Sequence, residues 1–226
     1  MKIDCIADLH GERPELPGGD LLIVAGDLTG ANNQIEIDRF GQWISQQEYN
    51  KKIFITGNHD NLLVEEKPRK YFVNINGNSY ERCEYLCDSC TEFKGLKIWG
   101  SPWTKTFVGM NPHCKAFTCE SDKELAEKWA LIPEDTEILV THSPPFSILD
   151  KNAQGFNVGS ITLWERLRKL PKLKLHVFGH IHREGGQMLS RTWVFAKRET
   201  PIMFVNCAHM DEVYDPVNGF VSVDLP

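Results

Sequence analysis

The sequence predicts an α/β or α+β domain, and three observations carry that prediction. Eight short apolar runs recur along the 226 residues, each flanked by Gly, Pro, Asn or Asp. Helical patterns separate the early runs, and strand-like runs dominate after Phe178. Short runs rich in Ile, Val and Phe read as buried strands, so the order suits a mixed sheet, or a pair of sheets, with helices outside.

The runs are Lys2–Ala7, Leu21–Ala25, Lys52–Thr56, Leu96–Trp99, Glu137–Thr141, Lys174–Phe178, Ile202–Asn206 and Phe220–Asp224. A first helix falls after the second run, where Ile37, Phe40 and Ile44 recur at spacings of three and four beside Trp43. Ser121-Asp122-Lys123-Glu124 has capping-box form, and Leu125 and Trp129 follow it four apart, which predicts a second helix. Ser160 caps a third that carries Ile161, Trp164 and Leu167. Residues 60–95 and 103–120 show no clear period and are expected to be irregular. The helical Trp residues, and Trp99 and Trp103 around a Gly-Ser-Pro turn, read as core, with Trp103 the one that could line a cleft. No repeat, low-complexity tract or Pro/Ser-rich linker interrupts the chain, so 1–226 is expected to form a single domain.

Hydrophobic content of 41% and charged content of 25% describe a globular chain. Its longest apolar stretch, Leu21–Ala25, is too short to span a bilayer. Asp4 and Asp8 interrupt the N-terminus where a secretory signal needs an apolar core, and seven Cys is an odd number. Free thiols in a reducing cytoplasm are therefore expected. A net charge of −6 without any long Lys/Arg block excludes a protein that coats duplex nucleic acid.

Function is carried by the residues just past the ends of five strands. These groups are Asp8-Leu9-His10, Gly26-Asp27, Gly57-Asn58-His59-Asp60, Thr141-His142 and Gly179-His180-Ile181-His182. Singly, they read as turns: Asp8 and Asp27 as turn residues, Gly57-Asn58 as a loop, His142 as a hydrogen-bonded loop histidine. The Asp-x-His and His-x-His pairs say more, because residues i and i+2 of an extended chain project to one side and can reach one ion. Ligand sites of α/β proteins gather beyond the carboxyl ends of strands, where all five groups lie. Two Asp, four His and one Asn are too many ligands for one tetrahedral ion and suit two ions that share a carboxylate.

The order D-x-H, GD, GNH[D/E], H, GHxH resembles that of the calcineurin-like metallophosphoesterases, with all five blocks present between residues 8 and 182. Gly100-Ser101-Pro102-Trp103, Thr141-His142-Ser143-Pro144-Pro145 and Val205-Asn206-Cys207 are further similar to the small metallophosphoesterase-domain-containing subgroup. The resemblance implies a four-layer fold, two facing mixed β-sheets flanked by helices, with metals at the sheet ends. It implies that Asp8, His10 and His182 hold a first ion, that Asn58, His142 and His180 hold a second, and that Asp27 bridges them. Carboxylate and imidazole together suit Mn first, with Fe or Zn as alternatives. Two cations about 4 Å apart acidify a shared water and clamp phosphoryl oxygens for in-line displacement. His59 is then the general acid for the leaving group. Asp60 joins it either as a carboxylate that orients a neighbouring imidazole or as a solvated loop charge.

The run Gly26-Asp27-Leu28-Thr29-Gly30 departs from the GDxVDRG of Ser/Thr protein phosphatases by lacking its second Asp and its Arg. A small phosphodiester, such as a cyclic nucleotide, is therefore the expected substrate, with a phosphomonoester or phosphoprotein as the alternative. A non-catalytic scaffold is a rival, set against the retained Asp8, Asp27, His59, His180 and His182. A second rival is an iron–sulfur enzyme, since Cys83-x3-Cys87-x2-Cys90 has three-thiolate spacing, although Ser89 stands where an aromatic is preferred. Cys5 and Cys207 read as inert, Arg183 as a solvated or salt-bridged side chain before a substrate contact, and His209 as a residue near enough to a strand end to approach the site.

Overall fold

Each of the eight apolar runs contributes a strand in the computed structural model, which describes residues 1–65, 83–106, 109–191 and 201–225. One sheet has the order β13-β1-β2-β3-β4, from β1 (Lys2–Ile6), β2 (Gly19–Ala25), β3 (Tyr49–Ile55), β4 (Cys83–Tyr85) and β13 (Val221–Asp224). The other has the order β11-β12-β10-β9-β6-β5, from β5 (Ser89–Phe93), β6 (Leu96–Ser101), β9 (Ile138–Thr141), β10 (Leu175–Phe178), β11 (Gln187–Arg191) and β12 (Ile202–Asn206). Within each sheet the inner strands run parallel, and antiparallel β13, β5 and β11 lie at the edges. A small parallel pair, β7 (Thr104–Lys105) and β8 (Thr118–Cys119), stands apart.

The apolar runs are continuous because both faces of each sheet are covered. Leu21, Ile23 and Ala25 of β2 face the other sheet, packing with Ile98, Val140 and Val177. Leu22 and Val24 face outward onto Ile37, Phe40, Trp43 and Ile44 of α1 (Gln34–Gln46). Leu139, Phe178 and Phe204 face outward onto Leu125 and Trp129 of α3 (Asp122–Ala130) and Leu163 and Leu167 of α4 (Ile161–Leu167). The result is four layers, helix–sheet–sheet–helix. The Ser121 side chain accepts the Glu124 N–H at 3.2 Å, as its capping-box form requires. Ser160 Oγ accepts from Leu163 N and from Trp129 Nε1, both at 3.1 Å, so one cap also joins α3 to α4.

The segments expected to be irregular hold α2 (Leu62–Glu65) and the short strands β4, β5, β7 and β8. These strands are two to five residues long and mostly half-exposed, so an apolar period never develops in them. They also separate the three thiols: Cys83 lies in β4 of one sheet and Cys90 in β5 of the other. Among the described residues no three Cys bring their sulfurs within 4.8 Å of one another. The helices leave the membrane question where the sequence put it: among the described residues none is long and apolar enough to cross a bilayer.

Parallel order sends β1, β2, β3, β9 and β10 toward one end of the sandwich. There the sheets are stitched together, with Ala7 N–H donating to Cys207 O at 2.8 Å and His209 N–H to Ala7 O at 2.9 Å.

Candidate metal centre

All five strand-end groups meet at that stitched end. Ligand atoms of Asp8, His10 and His182 lie within 4.8 Å of one another, and so do those of Asp27, His142 and His180. Asp27 stands between the two sets, its Oδ2 3.8 Å from His10 Nε2 and 3.3 Å from His142 Nε2. Asn58 Oδ1 lies 3.1 Å from His142 Nε2 on the second side. His59 comes closer than the sequence suggests, since its Nε2 is 4.0 Å from Asp27 Oδ2 and it forms a third such group with His10 and Asp27.

Strand alternation does not bring these atoms together. Asp8, His10, Asp27 and His180 have φ of 52°, 44°, 51° and 69°, the left-handed region that non-glycine residues seldom adopt. Each such residue costs on the order of 1 kcal/mol, which surrounding bonds must offset. Those bonds are present: Asp8 N–H donates to Gly26 O at 2.9 Å and His10 N–H to Asp27 O at 3.1 Å. His180 N–H reaches both Asp8 carboxylate oxygens, at 3.1 and 2.9 Å, and His59 N–H reaches Asp27 Oδ1 at 2.9 Å. His180 and His182 consequently part, one to each group, where an extended chain would have sent both to one ion. Crowding explains two of the glycines. A Cβ at Gly179 would stand inside the Asp8 carboxylate, and one at Gly26, where φ is +99°, would stand 2.5 Å from His142 Nδ1.

Backbone partners fix which ring nitrogens face inward. His182 Nδ1 donates to Asp211 O at 2.8 Å and His142 Nδ1 to Ala25 O at 3.0 Å, since a carbonyl can only accept. Asn58 Nδ2 donates to Cys114 O at 3.2 Å, which turns Oδ1 inward. In each neutral ring the inward nitrogen then carries a lone pair. Around these three residues the inward set is therefore carboxylate oxygens, an amide oxygen and imidazole lone pairs, acceptors confronting acceptors at 3.1–3.4 Å. Such an arrangement repels itself unless cations or protons sit in it, and it fits two divalent ions that share Asp27.

The electrostatics without metal show the same demand. Burial alone would raise Asp27, but the charge and hydrogen bond of His142, with His59 and His10, hold it well below the ordinary carboxylate range. Burial would also raise Asp8, which the His182 hydrogen bond and charge carry downward instead. Burial disfavours protonated His142, yet the charge and hydrogen bond of Asp27 push it up to about 9. Burial lowers His10 to about 4 and His180 to about 3. Burial would lower His182, but the hydrogen bond and charge of Asp8 raise it, so protonated imidazole does in part what a cation would do.

Beyond the strand-end motifs themselves, a model of the calcineurin-like phosphoesterases matches residues 1–184. The chain belongs to the calcineurin-like phosphoesterases. It is 34% identical to metallophosphoesterase domain-containing protein 1 of Homo sapiens and of Mus musculus over 244 aligned residues, 98% of this chain and 70% of either relative. A Caenorhabditis elegans UPF0046 protein is 33% identical across 100% of this chain and 82% of its own length. The solved structure of TT1561 of Thermus thermophilus shares the fold at a TM-score of 0.56 and 14% identity, covering 91% of this chain and 88% of that one. As a member of this dinuclear family the protein is a metal-dependent phosphoesterase, and its Asp/His groups are where such ions could be held.

Asp60 orients no imidazole in this phosphoesterase, nor is it solvated. It is fully buried, and its Oδ2 accepts from Gly57 N at 2.8 Å and Leu28 N at 3.2 Å. Its Oδ1 accepts from Thr29 N at 3.0 Å and Thr29 Oγ1 at 2.9 Å. Burial and the charge of Asp27 push its carboxyl up to about 7. One side chain thus clamps the Asp27 loop to the Asn58 loop. A cleft of about 260 Å³ opens over Asp27, Asn58, His59, His180 and His182.

Arg183 lines that cleft and donates to Ala153 O at 3.1 Å. Trp103 does not line it: its Nε1 donates to Asp88 Oδ2 at 2.8 Å beneath Lys128. His209 is buried with its Nδ1 on Asn218 O. Two residues of the site carried no signal in the sequence. Tyr214, 53% exposed with φ 66°, sets its ring 4.8 Å from that of His10 and 5.2 Å from that of His182. Cys114 places its thiol beside His59. Both lie on loops outside any periodic pattern.

Proposed function

We propose that this chain hydrolyses a small phosphodiester, a cyclic nucleotide being the best-fitting class, with two Mn ions held by Asp8, His10, Asp27, Asn58, His142, His180 and His182. The observation that carries the reading is Asp27, buried between two clusters of carboxylate and imidazole ligand atoms. Mn suits the mixed oxygen and nitrogen donors. When bound, the ions acidify water and neutralise the phosphoryl oxygens. The rest falls to the chain's own groups. His59, over the cleft, gives its Nε2 proton to the departing oxygen. Asp60 holds the loops of Asp27 and Asn58 in register.

The charge at the cleft supports a diester. Arg183 is the one Arg or Lys that lines it among the described residues, Glu212 lines it as well, and Leu28-Thr29 carry no phosphate-gripping Arg. A monoester dianion would want more positive charge than a diester monoanion does. We also take 1–226 as one domain and the cytoplasm as its location, in keeping with its unpaired thiols.

The test is turnover with Mn across p-nitrophenyl phosphate, bis-p-nitrophenyl phosphate and 2′,3′- and 3′,5′-cyclic nucleotides. Diester turnover should exceed monoester turnover and vanish with chelator. A monoester preference removes the diester reading. His59→Ala should keep its metal content and lose about 100-fold or more on substrates with poor leaving groups, and unchanged turnover there ends its acid role.

A further inference from the structure

A ring that delivers a proton from Nε2 must be held at its other nitrogen, or it turns about χ2 and shares the proton between both. Asp60, the neighbouring carboxylate, is committed to backbone N–H groups and Thr29. The atom against His59 Nδ1 is a sulfur, Cys114 Sγ at 3.5 Å.

The thiol is no casual neighbour. Cys114 is 7% exposed, and its segment is fastened to the loop of His59 on both sides of the thiol. Asn58 Nδ2 donates to Cys114 O at 3.2 Å, and Ala116 N–H returns to Asn58 O at 3.1 Å. Asn61 Nδ2 donates to His113 O one residue earlier, and Cys114 N–H closes a turn onto Asn111 O at 2.9 Å. One segment therefore aims the Asn58 oxygen with a carbonyl and meets His59 with a thiol.

We infer that Cys114 is the positioning residue of His59, holding its Nδ1 edge so that proton exchange with substrate takes place only at Nε2. The inference rests on the reading of His59 as proton donor. In the imidazolium, Nδ1–H donates to the sulfur and Nε2–H faces the leaving oxygen. As the P–O bond breaks, its electron pair goes to that oxygen and the Nε2 proton follows. The ring, left neutral, regains a proton from water at Nε2. In the neutral ring left by the transfer Nδ1 keeps its hydrogen and the sulfur accepts it, so the lone pair stands at Nε2. The thiol does so without adding a charge beside Asp27.

Two measurements test this. In the metal-free 226-residue chain labelled with 15N-histidine, the neutral His59 ring should show the shifts of a single tautomer, and Cys114→Ala should move them to a solvent-like average. Averaged shifts already in the wild type overturn the inference. With Mn present, turnover is measured on aryl and alkyl phosphodiesters of graded leaving group. Cys114→Ala should steepen the dependence, losing about tenfold on the poorest leaving group, a part of the 10²–10⁴ that a general acid supplies.

Cys114→Ser, which keeps a donor and acceptor in nearly the same place, should restore most of that loss. In a His59→Ala background, Cys114→Ala should add nothing. A uniform loss on all substrates, no rescue by Ser, or an undiminished effect without His59 would each make Cys114 merely structural. If His59→Ala itself leaves the leaving-group dependence unchanged, the proton-donor reading fails. If it alters that dependence and Cys114→Ala does not, this inference fails alone.

Discussion

His176 offers a stability prediction that can be worked through from the structure. It is fully buried in β10, with the rings of Phe178 and Phe204 at 5.0 and 5.9 Å. Thr141 Oγ1 gives its one hydrogen to Ser143 O at 2.7 Å, so His176 Nε2, 2.8 Å away, must be the donor to Thr141. Nδ1 is then a bare lone pair with no partner, and protonating it would bury an unsatisfied N–H on a charged ring. Burial accordingly lowers His176 to about 3. The folded state binds fewer protons than the unfolded one, in which the ring titrates at about 6.5. Stability from this group is whole above that value and is lost as the pH falls toward 3. The loss at pH 5 is about 2 kcal/mol, at 1.36 kcal/mol per pH unit below about 6.5.

His176→Phe removes the titration and puts a third phenyl-sized ring in the space, at a cost of about 1–3 kcal/mol at neutral pH. Urea unfolding of both proteins in chelator, at pH 7.5 and pH 5, cancels every other titrating group in the difference. The variant should lose about 2 kcal/mol less than the wild type between the two conditions. Equal losses would show that the ring either finds an acceptor or escapes to water, and the reasoning from its unpartnered nitrogen would be refuted.

Three further outcomes follow from the centre itself. His142, held up to about 9 by Asp27, must release its proton to bind a cation, whereas His10 and His180 are already neutral at pH 7. Metal affinity should therefore rise about tenfold per pH unit below 9 from this group. Calorimetry in buffers of different ionisation enthalpy should detect about one proton released from His142 at pH 7.5, with a further fraction from His182, which Asp8 raises, and none released would contradict the assignment. Asp60→Ala strands the N–H groups of Gly57, Leu28 and Thr29, so metal affinity should drop about 10- to 100-fold, as read by titration. Wild-type affinity would mean that the two loops hold their places without the clamp. Gly179→Ala should abolish tight metal binding by displacing Asp8, while Gly219→Ala, which has open space around it, should bind as wild type does; equal behaviour of the pair would count against the steric argument.

The sequence disclosed most of the frame because each inner strand is buried on both faces and so had to be apolar throughout. Lys2–Ala7 and Lys174–Phe178 could be read for that reason, whereas Ser89–Phe93 alternates half-buried and exposed polar residues at an edge and could not. The α1 cap was missed because Asn33 follows another Asn in a polar stretch, though its side chain accepts the Glu36 N–H at 3.0 Å. The strand-end residues could be read as a set because the chemistry confines their types. Their supports could not: Asp211 serves through its backbone carbonyl, and Cys114 through a carbonyl and a thiol on an irregular loop. A main-chain acceptor leaves no trace in residue type.

The rule that i and i+2 share a side predicts that Asp8 and His10 converge, and they do, though the structure does not use that reason. Left-handed turns, braced by N–H bonds from neighbouring loops, aim these side chains, and the same turns split His180 from His182. Strain of this kind persists only where other elements overdetermine it. Here those elements come from both sheets: His180, after β10, bonds to Asp8, after β1, and Ala7 bonds to Cys207. The centre is therefore a property of the seam between the sheets. A change that loosens the seam should release the left-handed residues and the cation site together, before either sheet melts.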